Sequence, residues 1–489
     1  MVDQKTVKSK TKLVASLKAN RPSFYIGIQE KDSHVVAYST AGSVTELFGG
    51  ETKHKEKPPE ITQPENPNFR ELFLSFNSTM ALYRTFIPVT LTLAPILSIV
   101  MGPNKIRDFA ISKGKKRDDI SRDDKTIYEL DLDCFREFTI HKNEAASAAE
   151  GVRHLPEVMI IGLISCYDAF LSRLLKVVLN IHQEIILTSE KSIKYSDLKD
   201  YASIEDARQA IIDKEVESVI RESHHEHFTW MEKKFSVKLR EGLSIWPQFL
   251  EICERRNLLT HTGGMVSEQY ISIGKSQNFD LENITIGQKL HVDTDYFSKA
   301  VNIIYEIGIK LTYVLWKKFL KSESKEADKF LNELCFDLIF REAYPLAESL
   351  LSFATKIPAR GMDERTRLML VINYANAVRL QGKKEQARLI LNTEDWSACA
   401  LVYQISVASV NEDISTVIKL MKVIGKDGNP NAEDYRQWPV FREVSNSVQF
   451  TEVYEDIFGT PFIRSSTSKV GAPPSTLKKN GVKSPPTKH

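Results

Sequence analysis

The chain has 489 residues, 42% hydrophobic and 27% charged, with 66 Lys and Arg against 64 Asp and Glu for a formal net charge of +2. At roughly 150 residues per domain this length suggests about three domains. The balance excludes a polycationic nucleic-acid coat, an acidic disordered chain and a low-complexity polymer, while leaving room for a local basic cleft.

Cys134, Cys166, Cys253, Cys335 and Cys399 are odd in number, far apart and never spaced as C-x-x-C. A zinc ribbon, a thioredoxin-type site and a disulfide framework therefore lack their raw material, and buried or isolated thiols in a reducing cytoplasm are expected. The opening MVDQKTVKSKTKLVASLKAN is basic without a continuous apolar stretch, so it does not read as a secretory signal. Residues 1–65 are expected to be a flexible region holding one β-like patch. Phe24–Ile28 and Val35–Tyr38, separated by a polar turn, read as a hairpin.

Residues 66–144 read as an apolar helical segment followed by a charged linker. No residue from Thr85 to Asn104 is charged, and Pro88 and Pro95 interrupt the run. A spanning helix needs about 20 apolar residues; this one reaches that length only with its polar ends. A buried core helix or packed hairpin is expected, with no stable membrane association. The stretch KGKKRDDISRDDK that follows reads as a solvated loop.

Residues 145–325 carry four helical patterns: Leu155–Leu179, Ser203–Lys234, Leu243–His261 and Tyr296–Leu320. Helices of that length joined by modest loops make a bundle. Gly263-Gly264 supplies a helix stop, and Tyr270–Ile273 reads as a short β-like stretch. From 326 to 463 the text turns to Ala-rich helical pairs. Ala347 and Ala354 lie in the first, Ala375, Gly382 and Ala387 in the second, and a weaker copy covers residues 400–424. Small residues let paired helices approach and a glycine makes the turn. Residues 464–489 hold only basic charges and are expected to be a disordered tail.

The segment EICERRNLLTHTGGMVSEQYI (residues 251–271) carries chemistry-bearing residues at the end of an apolar-striped helix. Arg256 and Asn257 are followed by His261, then by the glycine pair and Val266-x3-Tyr270-Ile271. This arrangement resembles the signature of the HEPN superfamily, an Arg-x4–6-His motif with a polar residue after the arginine in a small all-helical domain. LISCYDAFLSRLLKVVL, upstream, looks like the long first helix of such domains, with Asp168 as a candidate supporting residue. The likeness covers about a third of the chain.

The resemblance implies a metal-independent endoribonuclease acting as a homodimer, with Arg256, Asn257 and His261 as catalytic residues and no cofactor or metal. It further implies an RNA substrate, a cytoplasmic setting, and a prokaryotic antiviral or toxin-type effector role. The helical pairs would then meet a protein partner or trigger. The residue types suit this chemistry. RNA transesterification needs a base at the 2′-hydroxyl, an acid at the departing 5′-oxygen and a cation for the charge on phosphorus. Histidine can take either proton-transfer role, typically worth about 10²–10⁴-fold. Arginine presents a permanently charged fork to phosphate. Arg256 and His261, five apart, diverge by about 140° on a regular helix, whereas Asn257 and His261 share a face. In the family, motifs from two chains face each other across a cleft.

Two other readings stay open: a non-catalytic HEPN and helical-repeat interaction scaffold, and a capping cluster in which Arg and His complement the helix dipole. His224, His225 and His227 read as a solvated face and not as a metal site. No Gly-x4-Gly-Lys-Ser/Thr loop or Gly-x-Ser-x-Gly elbow occurs. The expected fold class is all-α, with a small mixed N-terminal region.

Overall fold

The computed structural model describes residues 25–31, 34–40, 68–118, 126–187, 192–357 and 362–464. The chain divides into two compact units, Met1–Glu65 and Asn66–His489. In the first, β1 (Tyr25–Lys31) pairs antiparallel with β2 (His34–Thr40), placing Tyr25 opposite Thr40 and Lys31 opposite His34. Among its described residues the second unit is all-α apart from one short two-stranded ribbon and an isolated bridge between Met265 and Lys289.

The described part of the second unit begins at Asn68, whose Oδ1 accepts from the Glu71 backbone N–H at 2.8 Å while Glu71 Oε2 reaches back to the Asn68 N–H at 3.4 Å. That reciprocal cap starts α1 (Phe69–Ala81). A π-helical turn, Leu82–Phe86, carries the chain into α2 (Ile87–Met101), and Gly102 separates this from α3 (Pro103–Lys113). β3 (Lys115–Lys116) and β4 (Tyr128–Glu129) form the ribbon, and the chain returns along α4 (Phe135–Ile181), 47 residues long. The expectation of a buried segment at 85–104 does not hold for α2. It packs one face on α4, but only Leu91 and Ala94 are buried.

Next come α5 (Gln183–Leu187), α6 (Ile204–Ile220), α7 (His224–Phe235), α8 (Trp246–Thr262), α9 (Glu268–Gln277) and α10 (Thr294–Phe319). Ser203, Ser223, Ser267 and Asp293 cap α6, α7, α9 and α10 with side-chain oxygens. α9 corrects the sequence reading of Tyr270–Ile273 as β-like: with Ser267 accepting from the Tyr270 N–H, these residues continue a helix.

One apolar core joins α1, α4 and α6–α10. α10 runs through its middle, and Trp316 stacks on Phe69 with ring centroids 6.0 Å apart. Phe76 stacks on Phe170 at 4.0 Å. A Cβ at Gly308 would lie 2.3 Å from the Phe76 ring, so glycine is what lets α1 and α10 close on each other. Each fully buried Leu or Phe here contributes about 1.5–3 kcal/mol relative to exposure.

The remaining helices form pairs: α11 (Ser324–Phe340) with α12 (Tyr344–Lys356), α13 (Glu364–Arg379) with α14 (Lys384–Leu391), and α15 (Leu401–Val410) with α16 (Ile414–Ile424). α17 (Ala432–Gln437) and α18 (Val448–Phe458) close the described chain. The first core continues across residue 325 into α11 and α12, while a second core begins at Ile372 and runs to Tyr454. The three hairpins turn in the same way. Glu342, Gly382 and Glu412 each take positive φ, and the residue after each donates back to a carbonyl five positions earlier.

Candidate functional site

α8 is seated by Phe249, Leu250, Ile252, Cys253 and Leu258, which are buried. That stripe fixes the rotation of the helix and therefore where Arg256, Asn257 and His261 face. The helix ends at Gly263, whose φ of +61° lets the Gly264 N–H bond the Leu258 carbonyl at 3.0 Å. The glycine stop expected from the sequence thus closes the helix just behind the motif.

Asp168 lies on α4 directly after Tyr167 and two residues before Phe170, both of them buried. Its Oδ2 accepts from Arg256 Nη2 at 3.2 Å, and its Oδ1 lies 2.9 Å from His224 Nε2. One carboxylate therefore bridges a guanidinium on α8 and an imidazole at the first position of α7. This orients both groups and offsets the cost of holding them partly out of water. Arg256 Nε is buried without a protein acceptor, so the fork keeps unused donor capacity.

The neighbouring arginine has a different task. Arg255 Nε donates to Glu251 Oε1 at 2.7 Å and its Nη1 to the His291 carbonyl at 3.0 Å, while its guanidinium stacks 4.3 Å over Tyr296. Tyr270 and Tyr296 hydroxyls donate to the two Glu251 oxygens at 2.8 and 2.6 Å. Arg255 is thus committed to holding α8, α9 and α10 together.

Asn257 is half-buried, and its Nδ2 reaches Glu254 Oε2 at 3.5 Å. Burial, first, pushes the Glu254 carboxyl above the usual carboxylate range, against the lowering effect of Asn257. Burial also pushes the Cys253 thiol well up, with Asp168 adding to it, so this cysteine stays a protonated core residue.

His261 stands apart. It is exposed in the last turn of α8 and makes no hydrogen bond or ion pair with any described residue. The structure brings Asp168 and Arg256 together and pairs Asn257 with Glu254. It does not bring His261 to either, in keeping with the five-residue offset on an undistorted helix.

The histidine tract on α7 corrects the sequence reading. His224 and His227 are 6% and 1% exposed, not solvated. Their rings lie 5.0 Å apart, and His224 packs edge-on to Phe249. Burial, and then the His224 charge, lowers the His227 pKa to about 4; the Asp168 carboxylate pulls the other way. Only His225 faces outward, beside Arg240, whose guanidinium is held by Glu232. The signal that could have revealed the burial is positional. His224, His227, Phe228, Met231 and Phe235 recur at helical spacing on one face. Among the described residues no group of three or more His, Cys, Asp or Glu could hold a metal ion.

No protein-family model matches the chain, no curated protein matches it, and no solved structure matches it.

Proposed function

We propose that the chain is a metal-independent endoribonuclease of HEPN type whose active site is completed by a second copy. The observation that carries this reading is the split between Arg256 and His261. Arg256 is oriented by Asp168 with donors to spare, while His261 is exposed at the helix end with no partner of its own. A lone chain does not converge the two groups on one phosphate. Two copies related by a two-fold axis would face the two motifs across a cleft and supply both histidines that transesterification uses, one as base at the 2′-hydroxyl and one as acid at the 5′-oxygen. Arg256 would carry the charge on phosphorus, and Asn257 would orient the imidazole or touch phosphate. Asp168 enters as a positioning residue acting through Arg256, and His224 shares that carboxylate.

The test is cleavage of a single RNA in EDTA by the wild-type chain, His261→Ala and Arg256→Ala at equal folded concentration. Cleavage by wild type that falls at least ~100-fold in both variants supports the assignment. Cleavage surviving both removes the motif from the chemistry.

One observation favours a second reading, an interaction scaffold. The Arg256 charge is already matched by a carboxylate of its own chain, and the paired helices from α11 onward are of the kind that present binding surfaces. Wild-type protein that dimerises yet leaves RNA intact, with or without candidate partners, would favour that reading.

A further inference from the structure

The pair formed by α2 and α4 is finished on one side only. Tyr83 meets Cys166, a Cβ at Gly102 would meet Ala145, and Phe109 meets His141, so the chain from α1 to α3 runs antiparallel to α4. Away from α4, Phe86, Leu93, Ile96, Leu97, Ile99 and Met101 are each between 48 and 60% exposed. At 100° per residue these six spread over about 200° of the helix circumference, twice the stripe of about 100° that a packed helix covers. No residue from Thr85 to Asn104 is charged. A protein helix docked there would leave half of this surface wet; hydrocarbon would cover all of it.

The polar atoms on this surface suit the same surroundings. The Thr90 and Thr92 hydroxyls donate to the Phe86 and Pro88 carbonyls at 3.1 and 2.8 Å, so they need no water. Charge then returns abruptly. From Pro103 to Asp118 the chain holds six Lys or Arg and two Asp, a surplus that complements anionic headgroups. Alongside α2, the stretch of α4 exposes Lys142, Glu144, Glu150 and Arg153. Those charges do not enter hydrocarbon, which argues for a helix lying in the membrane plane and against a spanning one.

We propose that α2 seats in the interfacial layer of an anionic lipid bilayer, parallel to its surface, with α4 on the water side and the basic residues of α3 and β3 on the headgroups.

The experiment is flotation of the full chain with vesicles of phosphatidylcholine alone or mixed with phosphatidylserine. Binding to the mixed vesicles is expected to exceed that to neutral ones by more than about 25-fold, the product of two lysine contributions, and to fall with salt. The double variant Leu93→Glu with Leu97→Glu, both at exposed positions, is expected to abolish flotation while leaving far-UV circular dichroism and Tm unchanged. Lys113→Gln and Lys115→Gln are each expected to weaken binding about fivefold. Leu97→Trp is expected to shift its emission to the blue on mixing and to be quenched most by acyl chains brominated near the headgroup. Failure of the wild-type chain to float, or flotation untouched by the Glu pair, overturns the proposal. Strongest quenching at the bilayer centre overturns the in-plane orientation. Self-association without lipid that the Glu pair breaks, with no flotation, assigns this face to a second copy instead.

Discussion

Asp168 on α4 and Arg256 on α8 stand 88 positions apart in sequence and are joined by a 3.2 Å hydrogen bond, with His224 on the carboxylate's other oxygen. The two arms tie three helices to one side chain. Asp168→Asn keeps the shape but leaves Arg256, whose Nε already lacks a protein acceptor, without its counter-charge. The expected loss is about 1–3 kcal/mol of unfolding free energy, read as a lower urea midpoint with unchanged m. Replacing both Asp168 and Arg256 by Leu is expected to recover part of that loss, because a missing partner costs more than a missing pair. An Asn variant as stable as the wild type would mean the pair is effectively solvated.

His227 makes stability depend on acid. Its folded pKa of about 4 lies below the ordinary 6.5, so the unfolded chain takes up the proton first as pH falls. Stability from this group is fully present above about 6.5 and is lost progressively down to about 4, by roughly 3 kcal/mol in all. Glu254, with its carboxyl pushed up by burial, acts in the opposite sense over part of that range. The clean measurement is therefore a difference: urea midpoints of wild type and His227→Gln between pH 7 and pH 4.5. The wild type is expected to lose more stability on acidification, and parallel curves would remove His227 as the cause.

The contrast between His261 and His224 shows what could be read in advance. α8, its glycine stop and the motif on its last turns follow from a local apolar period and two adjacent glycines, information contained within about 20 residues. The burial of His224 depends on Asp168, 56 positions away, and on the start of α7 meeting α4 at Tyr167; nothing inside ESHHEHF encodes that partner. Tyr270–Ile273 illustrates a weaker local signal. Four residues with aromatic and β-branched members suggest a strand, yet Ser267 and Glu268 just before them form a helix start. α2 is a third kind of case. An uncharged run states that water is unwelcome without stating what replaces it, and the structure leaves that face outside the core.

The two glycines behind the motif are expected to differ sharply. Gly263 has φ +61° with nothing within 4 Å of a would-be Cβ, whereas Gly264 has φ +87° and its Cβ would lie 2.7 Å from the Leu290 carbonyl oxygen. Gly263→Asn is expected to cost well under about 1 kcal/mol, since Asn tolerates the left-handed region. Gly264→Ala combines backbone strain with a clash against a backbone atom and is expected to cost about 2–4 kcal/mol. Differential scanning calorimetry of both variants checks this, and equal Tm values would contradict the assigned geometry.

The hairpin turns of the paired helices give a final contrast. Glu342 and Glu412 occupy the positive-φ position that Gly382 fills in the middle pair, with φ of +65° and +59°. A non-glycine residue there costs about 1 kcal/mol, so glycine at either site relieves strain. Their side chains, however, are not equivalent. Glu342 reaches Arg442 at 3.3 Å on a partly exposed surface, a pair worth little in water. Glu412 binds Lys384 at 2.7 Å and lies 3.9 Å from Arg379, a buried cation that burial already drives toward a lower pKa. Removing Glu412 leaves that charge with less compensation. Glu342→Gly is therefore expected to stabilise the chain by about 0.5–1 kcal/mol. Glu412→Gly is expected to be neutral or destabilising despite the same relief of φ. Urea midpoints of the two variants read the difference directly, and a gain in both would mean that Glu443, which raises the Arg379 pKa more than Glu412 does, compensates this charge by itself.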